Sequence, residues 1–298
     1  LKRDLPDCQT PSSTERLSLR LCFPSAEPVK ADAEFCLQKD AMSGKPSKRT
    51  NRDLRALLPF SDLRPETGKA LDAMQHRVVF RSGQVVSHEG EKSDFVGIVA
   101  SGILRMQKTL MDGRHPIVGL LVRGDIFGCT FDGASELAIE AATDAEVYAF
   151  PRVPFEALVS RSPNLNRIVL LNILNGLDRA GDWMVILSNQ KVVNRVAGFL
   201  LMMCTRFAGA DHLVQPRPSG IEIKIPVSRL DLAQLLGTRP ESISRALHRL
   251  ADSGDIDLVA PDHIVIKDVA ALAEKAGEEE FKSSAALRDL MAEKRRRR

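Results

Sequence analysis

The chain has 298 residues, 44% of them apolar and 27% charged, with a net charge of +3. This is enough apolar material for one large domain or two ordinary ones, which excludes a disordered, collagen-like or disulfide-stapled protein. The charge is too small to announce a nucleic-acid partner by itself.

The longest apolar run, Val196–Cys204, contains Gly198 and is too short to span a bilayer, and the first thirty residues hold no signal-peptide core. Five cysteines without close pairing (8, 22, 36, 129 and 204) read as reduced thiols, so we expect a cytoplasmic protein with no membrane partner. Residues 1–50 show no sustained period and are expected to be a disordered or non-native extension. Two readings stay open: translation starts at Met42 and 1–41 is an addition, or the segment is a disordered arm. Neither places function there.

Leu54–Leu58 and Leu63–Met74 read as short helices. From Val78 to Phe150 short β-rich runs alternate with glycines, and Glu136–Phe150 carries the last strands. Asp112-Gly113 predicts a tight hairpin between Ile103–Leu110 and Ile117–Val122. Many short strands at this spacing predict an antiparallel sandwich or jelly roll, placed at 51–153. Pro154–Leu187 then reads as one long helix, the domain 154–188. Leu170, Leu174, Leu177, Gly181 and Met184 are spaced 4, 3, 4, 3, a seam widened by Ile168 and Leu171. One face packs on the roll and this seam packs on a partner helix, giving a homodimer, with Asp178 and Asp182 beside it; the alternative is a long helix packed only on its own domain. Asn189–Phe207 is a further helix and Asp211–Gly220 a loop.

Ser228 and Asp231 have N-cap spacing, Leu232, Ala233, Leu235 and Leu236 follow on one face, and Gly237 suits the stop. Thr238 and Glu241 repeat the capping spacing, with Pro240 in the first turn. In the second helix Ile243, Ala246, Leu247 and Leu250 must be buried, whereas Glu241, Ser244, Arg245 and His248 must be exposed. Two short helices around a glycine turn form a helix-turn-helix. Leu258-Val259 and Ile264–Ile266 add a wing, so 189–270 is a winged helix and 271–298 a basic tail.

Arg245 has two donors for a guanine, Glu241 accepts from a cytosine or adenine amino group, and Ser244 is short enough for a base edge or thymine methyl. A cap for Glu241 and plain solvation for Arg245 are the structural alternatives. Ser228, Thr238, Arg239, His248 and Arg249 are assigned to phosphates or the flank. Residues 189–270 hold ten Lys/Arg against nine Asp/Glu, so the motif and not the charge carries the DNA reading.

The order of parts, an α+β chain of β-roll, long helix and winged helix, resembles the Crp/Fnr family of bacterial transcription regulators over roughly 54–270. The most specific piece is Pro240-Glu-Ser-Ile-Ser-Arg245 after Leu235-Leu-Gly237. The Fnr and FixK branches carry Glu-x-x-Ser-Arg there. The cAMP-receptor branch has a guanine-reading arginine where this chain has Pro240. The resemblance therefore implies a TTGA-N6-TCAA-like inverted repeat rather than TGTGA. Val118–Gly128 and Asp182–Leu187 look like FnrL-type regulators. The resemblance further implies a cytoplasmic activator of low-oxygen or redox-linked genes, working as a homodimer on double-stranded DNA with RNA polymerase.

It also frames the cofactor question. Cyclic-nucleotide domains hold ribose with a Glu and phosphate with an Arg. Those positions fall on Cys129 and near Glu136, so we expect no cAMP binding, since a carboxylate repels the phosphate. Fnr carries a [4Fe–4S] cluster on three grouped cysteines and one in the roll. Cys8, Cys22, Cys36 and Cys129 give the nominal count. But Arg55–Leu63 has no cysteine, the intervals of 14 fit no family spacing, and the family's fourth position is Tyr148. We expect no cluster, no metal and no other cofactor.

Cys129 is a candidate redox thiol, with a small core residue as the plainer reading. Cys204 reads as core. His76, His88 and His115 read as solvated loop residues rather than haem or metal ligands. The alternatives carried are an iron–sulfur or haem sensor of oxygen or NO in the same family and, more distantly, a cupin-type β-roll enzyme. Against the enzyme stand a lone His88 in place of a ligand set and the lack of nucleophile-elbow or phosphate-loop patterns.

Overall fold

A computed structural model describes residues 54, 57, 60–128, 134–207, 213–225 and 227–277, all within the compact unit Leu37–Arg298. The expectations for 1–50 and for Cys129 lie outside these residues.

A 3-10 turn at Phe60–Asp62 leads into α1, Pro65–Met74, which starts two residues later than expected because Pro65 suits the first turn. Eight strands follow: β1 His76–Phe80, β2 Val85–Ser87, β3 Phe95–Ser101, β4 Leu104–Gln107, β5 Ile117–Leu121, β6 Ile126–Phe127, β7 Ala138–Ala141 and β8 Ala145–Pro151. They form two antiparallel four-stranded sheets, ordered β1-β8-β3-β6 and β2-β7-β4-β5. The tight turn expected at Asp112-Gly113 forms, with Gly113 at φ +80° and its N–H on the Leu110 carbonyl at 2.9 Å, although β4 and β5 stop short of it. The ladder is bulged at Met106/Gln107, and beyond the Gln107–Ile117 pair it continues through Lys108 N–H to Pro116 O (3.1 Å) and Leu110 N–H to Arg114 O (2.9 Å).

β1, β2 and β7 keep an alternation of buried and more exposed positions, whereas β3 and β8 are covered on both faces and lose it. In β3 and β8, Val99, Val147 and Ala149 fill the roll, while Val96, Ile98, Tyr148 and Phe150 pack outward with α1 and the following helices. Inside the roll Phe127 lies over Gly97. A Cβ at Gly97 would stand 2.1 Å from the ring, so only glycine admits it. In the second sheet Leu104 and Leu121 face inward, whereas Arg105 and Leu120, the next register pair, face out.

The single helix expected over 154–188 is two. α2 is Arg152–Arg161, and its Phe155 and Val159 sit in the roll's outer core. α3 is Pro163–Ser188. Ser162 breaks the run with extended backbone before Pro163, and its hydroxyl accepts the Leu165 N–H at 3.4 Å.

α4 spans Val192–Arg206, beginning three residues after the expected Asn189, which ends α3. Its stretch Val196–Cys204 is buried throughout, which accounts for the apolar run. β9, Val214–Arg217, and β10, Gly220–Lys224, replace the expected loop at 211–220. They join β11 Ile256–Ala260 and β12 His263–Ile266 in a sheet ordered β11-β12-β10-β9. The tail expected from 271 is also corrected. α7, Val269–Ala276, is capped by Asp268, and its Leu272, Ala273 and Ala276 are buried with α4.

Candidate nucleic-acid interface

Between β10 and β11 lie α5, Arg229–Leu235, and α6, Pro240–Asp252. Ser228 and Asp231 form the capping box at the start of α5. The Ser228 hydroxyl accepts the Asp231 N–H at 3.1 Å, and the Asp231 carboxylate accepts the Ser228 N–H at 3.4 Å. Gly237 follows with φ +60°, the left-handed turn that an L side chain adopts poorly. Thr238 is not the cap of α6. Arg239 occupies that position without a side-chain bond, Pro240 is the first helical residue, and Glu241 falls in the first turn, where a carboxylate suits the helix dipole.

α6 has the predicted two faces. Ile243, Ala246, Leu247 and Leu250 are buried, and Glu241, Arg245, His248 and Arg249 are exposed. Ser244 is half-buried rather than exposed. The Arg245 Nε lies 3.4 Å from the Glu241 carbonyl, and His248 Nδ1 lies 2.8 Å from the Ser244 carbonyl. Both side chains thus lie back along the exposed face toward the helix N-terminus. Arg239 is exposed at the same end, Thr238 is half-buried, and Ser228 is exposed across the turn.

The wing turn at Pro261-Asp262 is tied to α5, since Arg229 donates to the Pro261 carbonyl. Partial burial lowers the Arg229 guanidinium pKa, with Asp262 opposing the shift. On the sheet beside the wing, Arg217 at 2.6 Å and then His263 hold Glu222 below the usual carboxylate range.

Two arginines from outside the motif hold α5. Arg105 on β4 donates to Asp231 Oδ2 at 2.7 Å and to Glu140 Oε1 at 2.5 Å. Arg195 on α4 donates to the carbonyls of Asn189 (2.7 Å), Leu236 (3.0 Å) and Gly237 (3.2 Å). Neither had a sequence signal. The Arg105–Asp231 contact spans 126 positions, and nothing periodic marks a basic residue whose acceptors are main-chain carbonyls.

On α3, Leu170, Leu171, Leu174, Leu177 and Met184 are exposed, joined by Ile173, Val185 and Leu187, which the seam did not include. Gly181 is half-buried. Ile168 is corrected: it is 5% exposed within the roll's own outer core, because it faces the same way as Leu165 and Val169.

In the roll, Glu136 is exposed, with its carboxylate 3.9 Å from Lys108 Nζ. Cys204 is fully buried, and desolvation pushes its thiol up to about 12, so it is unreactive. His76, His88 and His115 are exposed, though His76 opens β1 rather than a loop. Among the described residues no group of three or more metal-ligating side chains is gathered, and no helix is long and apolar enough to cross a membrane.

Comparison with known proteins agrees with this geometry. Residues 77–162 match the cyclic nucleotide-binding domain family and 194–275 the Crp-like helix-turn-helix domain family. The chain is 30% identical over 209 residues to the transcriptional activator protein FnrL of Cereibacter sphaeroides, covering 70% of this chain and 84% of that protein. It is 29% identical over 191 residues to the nitrogen fixation regulation protein FixK of Bradyrhizobium diazoefficiens, covering 64% of this chain and 78% of that one. The structure of FixK2 from Bradyrhizobium japonicum superposes with a TM-score of 0.60 at 28% identity, over 67% of this chain and 96% of that chain. The chain belongs to the Crp/Fnr family of transcription regulators, which are not enzymes, within its FnrL and FixK branch.

Proposed function

We propose that the protein is a cytoplasmic homodimer that binds a TTGA-N6-TCAA-like inverted repeat and activates low-oxygen or redox-linked genes through RNA polymerase. The observation that carries this reading is the α6 face. Glu241, Ser244 and Arg245 lie along one side of a helix whose opposite side is sealed by Ile243, Ala246, Leu247 and Leu250. Arg245 reads the guanine, Glu241 the neighbouring amino group, and Ser244 the base edge beside it. Ser228, Thr238, Arg239, His248 and Arg249 border this face and contact phosphates. Pairing runs through the exposed side chains of α3: a contiguous apolar stripe on a 26-residue helix is what a partner helix buries.

The roll keeps the family's nucleotide-binding architecture, but the position near the cyclic phosphate carries the exposed Glu136 carboxylate. We take the roll to regulate without cAMP and without a cluster of its own. The test is competitive DNA binding at fixed salt, since phosphate contacts otherwise mask specificity. TTGAT-N4-ATCAA should outcompete its single-base variants, and cAMP should leave that affinity unchanged. Equal binding to scrambled DNA overturns the operator assignment; micromolar cAMP binding by calorimetry overturns the ligand assignment.

A further inference from the structure

We propose that Arg105 is a positioning residue that sets the half-site spacing the protein accepts, acting through Asp231. The inference rests on the reading above of a dimer on an inverted repeat.

Arg105 projects from the outer face of β4, directly opposite Glu140 on β7. Its guanidinium divides its donors between the two elements it joins, with Nη2 on Glu140 and Nη1 on Asp231. The Arg105 and Asp231 side chains are 19% and 17% exposed, so water screens the pair only in part. Asp231 is the residue that closes the capping box on Ser228, and the same Oδ2 serves both contacts. The roll's polar hold on the first turn of α5 therefore falls on a single atom.

The opposite end of α5 is gripped as well. Arg195 binds the carbonyls of Leu236 and Gly237 and, with Nε, that of Asn189 at the end of α3. Between these two points Ile103 and Leu120 of the roll share an apolar cluster with Leu232, Leu235 and Leu236. Apolar contact is non-directional and permits sliding, whereas a guanidinium–carboxylate bond fixes a direction. With both ends of α5 held, α6, which starts after a turn of a few residues, takes a fixed angle to α3.

In a dimer paired along α3, that angle sets the separation of the two recognition helices. Half-sites lie about 34–36 Å apart, one helical turn. Removing the guanidinium leaves Glu140 and Asp231 facing each other without the cation between them. The base-reading side chains are untouched, but the angle of α6 is no longer held. Spacing selectivity is then lost while base selectivity stays.

The test is competition binding to inverted repeats with the TTGA half-sites at the native spacing, one base pair closer and one farther. The variants are Arg105→Met, Arg105→Lys, Asp231→Asn, which keeps an acceptor for the Ser228 N–H, and Arg105→Met/Asp231→Asn. In Arg105→Met the preference for the native spacing should fall about tenfold, within the range for coupled side chains, with the guanine preference and dimer mass unchanged. Asp231→Asn, whose amide oxygen still accepts from both groups but without the charge, should move the preference in the same direction by less, the double variant should be no worse than Arg105→Met alone, and Arg105→Lys should retain most of the selectivity.

Unchanged spacing preference in Arg105→Met overturns the proposal. So do losses that multiply in the double variant, or base and spacing preferences falling together, which marks a merely structural residue. If the unmodified protein does not prefer the repeat to a single half-site, the dimer reading itself fails and the proposal falls with it.

Discussion

Arg179, midway along α3, donates from Nη1 to Asp125 Oδ1 at 2.9 Å, in the turn between β5 and β6. The other Asp125 oxygen accepts the Val122 N–H at 2.8 Å. Seven residues earlier on the same side of α3, Asn172 accepts the Ile126 N–H at 3.1 Å and donates to the Gly124 carbonyl at 3.2 Å. These two side chains lock one face of α3 to the roll. The apolar face that carries Leu170, Leu174 and Leu177 is thereby turned outward.

The buried carboxylate makes stability depend on pH. Burial pushes the Asp125 carboxyl above its ordinary value of 3.8, and the Arg179 charge pulls it partly back. The folded state thus holds this proton more tightly than the unfolded chain. The associated stability is fully present below the unfolded value and is lost as pH rises through the folded one. Arg179→Met removes the compensating cation and should raise the folded value further. Its cost should therefore grow with pH, toward about 3 kcal/mol near neutrality, the lower range for breaking a buried pair. Urea unfolding at pH 4.5 and 7.5 measures this, and an equal cost at both pH values contradicts it.

Leu177→Glu and Ile168→Ala should behave oppositely. Leu177 is 66% exposed, so apart from the stabilisation that pairing itself supplies, the glutamate should change the subunit's unfolding stability by no more than about 0.5 kcal/mol. On the outward face, however, it should convert the dimer into monomers at tens of micromolar and weaken binding to the inverted repeat. Ile168→Ala opens a cavity in the roll's outer core and should cost about 2–5 kcal/mol while the dimer persists. Analytical ultracentrifugation and thermal unfolding of the two variants separate the roles. A dimeric Leu177→Glu protein would remove α3 as the pairing element.

Capping offers a contrast inside the helix-turn-helix. Ser228→Ala removes the acceptor for the Asp231 N–H and should cost about 1 kcal/mol. Thr238→Ala should cost less than about 0.5 kcal/mol, because Arg239 and not Thr238 precedes the first turn of α6. Chemical denaturation decides this, and equal costs would restore Thr238 as the cap.

That contrast shows where sequence reading works. Ser228, Asp231 and Gly237 were legible because their signals are local: a side chain bonding three residues on, and a backbone angle only glycine takes easily. The two faces of α6 were legible from spacing alone. The break at Ser162 carried the same kind of local signal, a capping serine before a first-turn proline, but the apolar period running on through Pro163 masked it. β9 is masked in the sequence because Pro216 reads as a loop residue, yet β9 is an edge strand where a missing N–H is tolerated. α7 had its signals in Asp268 and Gly277, but the strongly charged end of the chain obscured an eight-residue helix. Ile168 fits the seam's spacing as well as Leu171 does. Which side of a stripe meets the protein's own roll depends on Asn172 and Arg179 finding partners about fifty residues away.

Arg245→Ala tests the base assignment most directly. If the guanidinium makes two bonds to the guanine of TTGA, its loss should cost about 1–3 kcal/mol per half-site and flatten the preference at that base pair. If two recognition helices engage the repeat, the total should approach twice that figure. Glu241→Ala should act differently. It removes an acceptor and a negative charge, so discrimination should fall while non-specific affinity rises. Pro240→Arg places a guanidinium at the first helical residue of α6, the position where the cAMP-receptor branch reads a guanine, and should admit TGTGA-like sites. Pro240→Val should keep the TTGA preference. Competition against single-base variants at fixed salt reads all four outcomes. If Arg245→Ala weakens every sequence equally, the arginine is a phosphate clamp. In that case α6 does not enter the groove by the face that carries Glu241, Arg245 and His248.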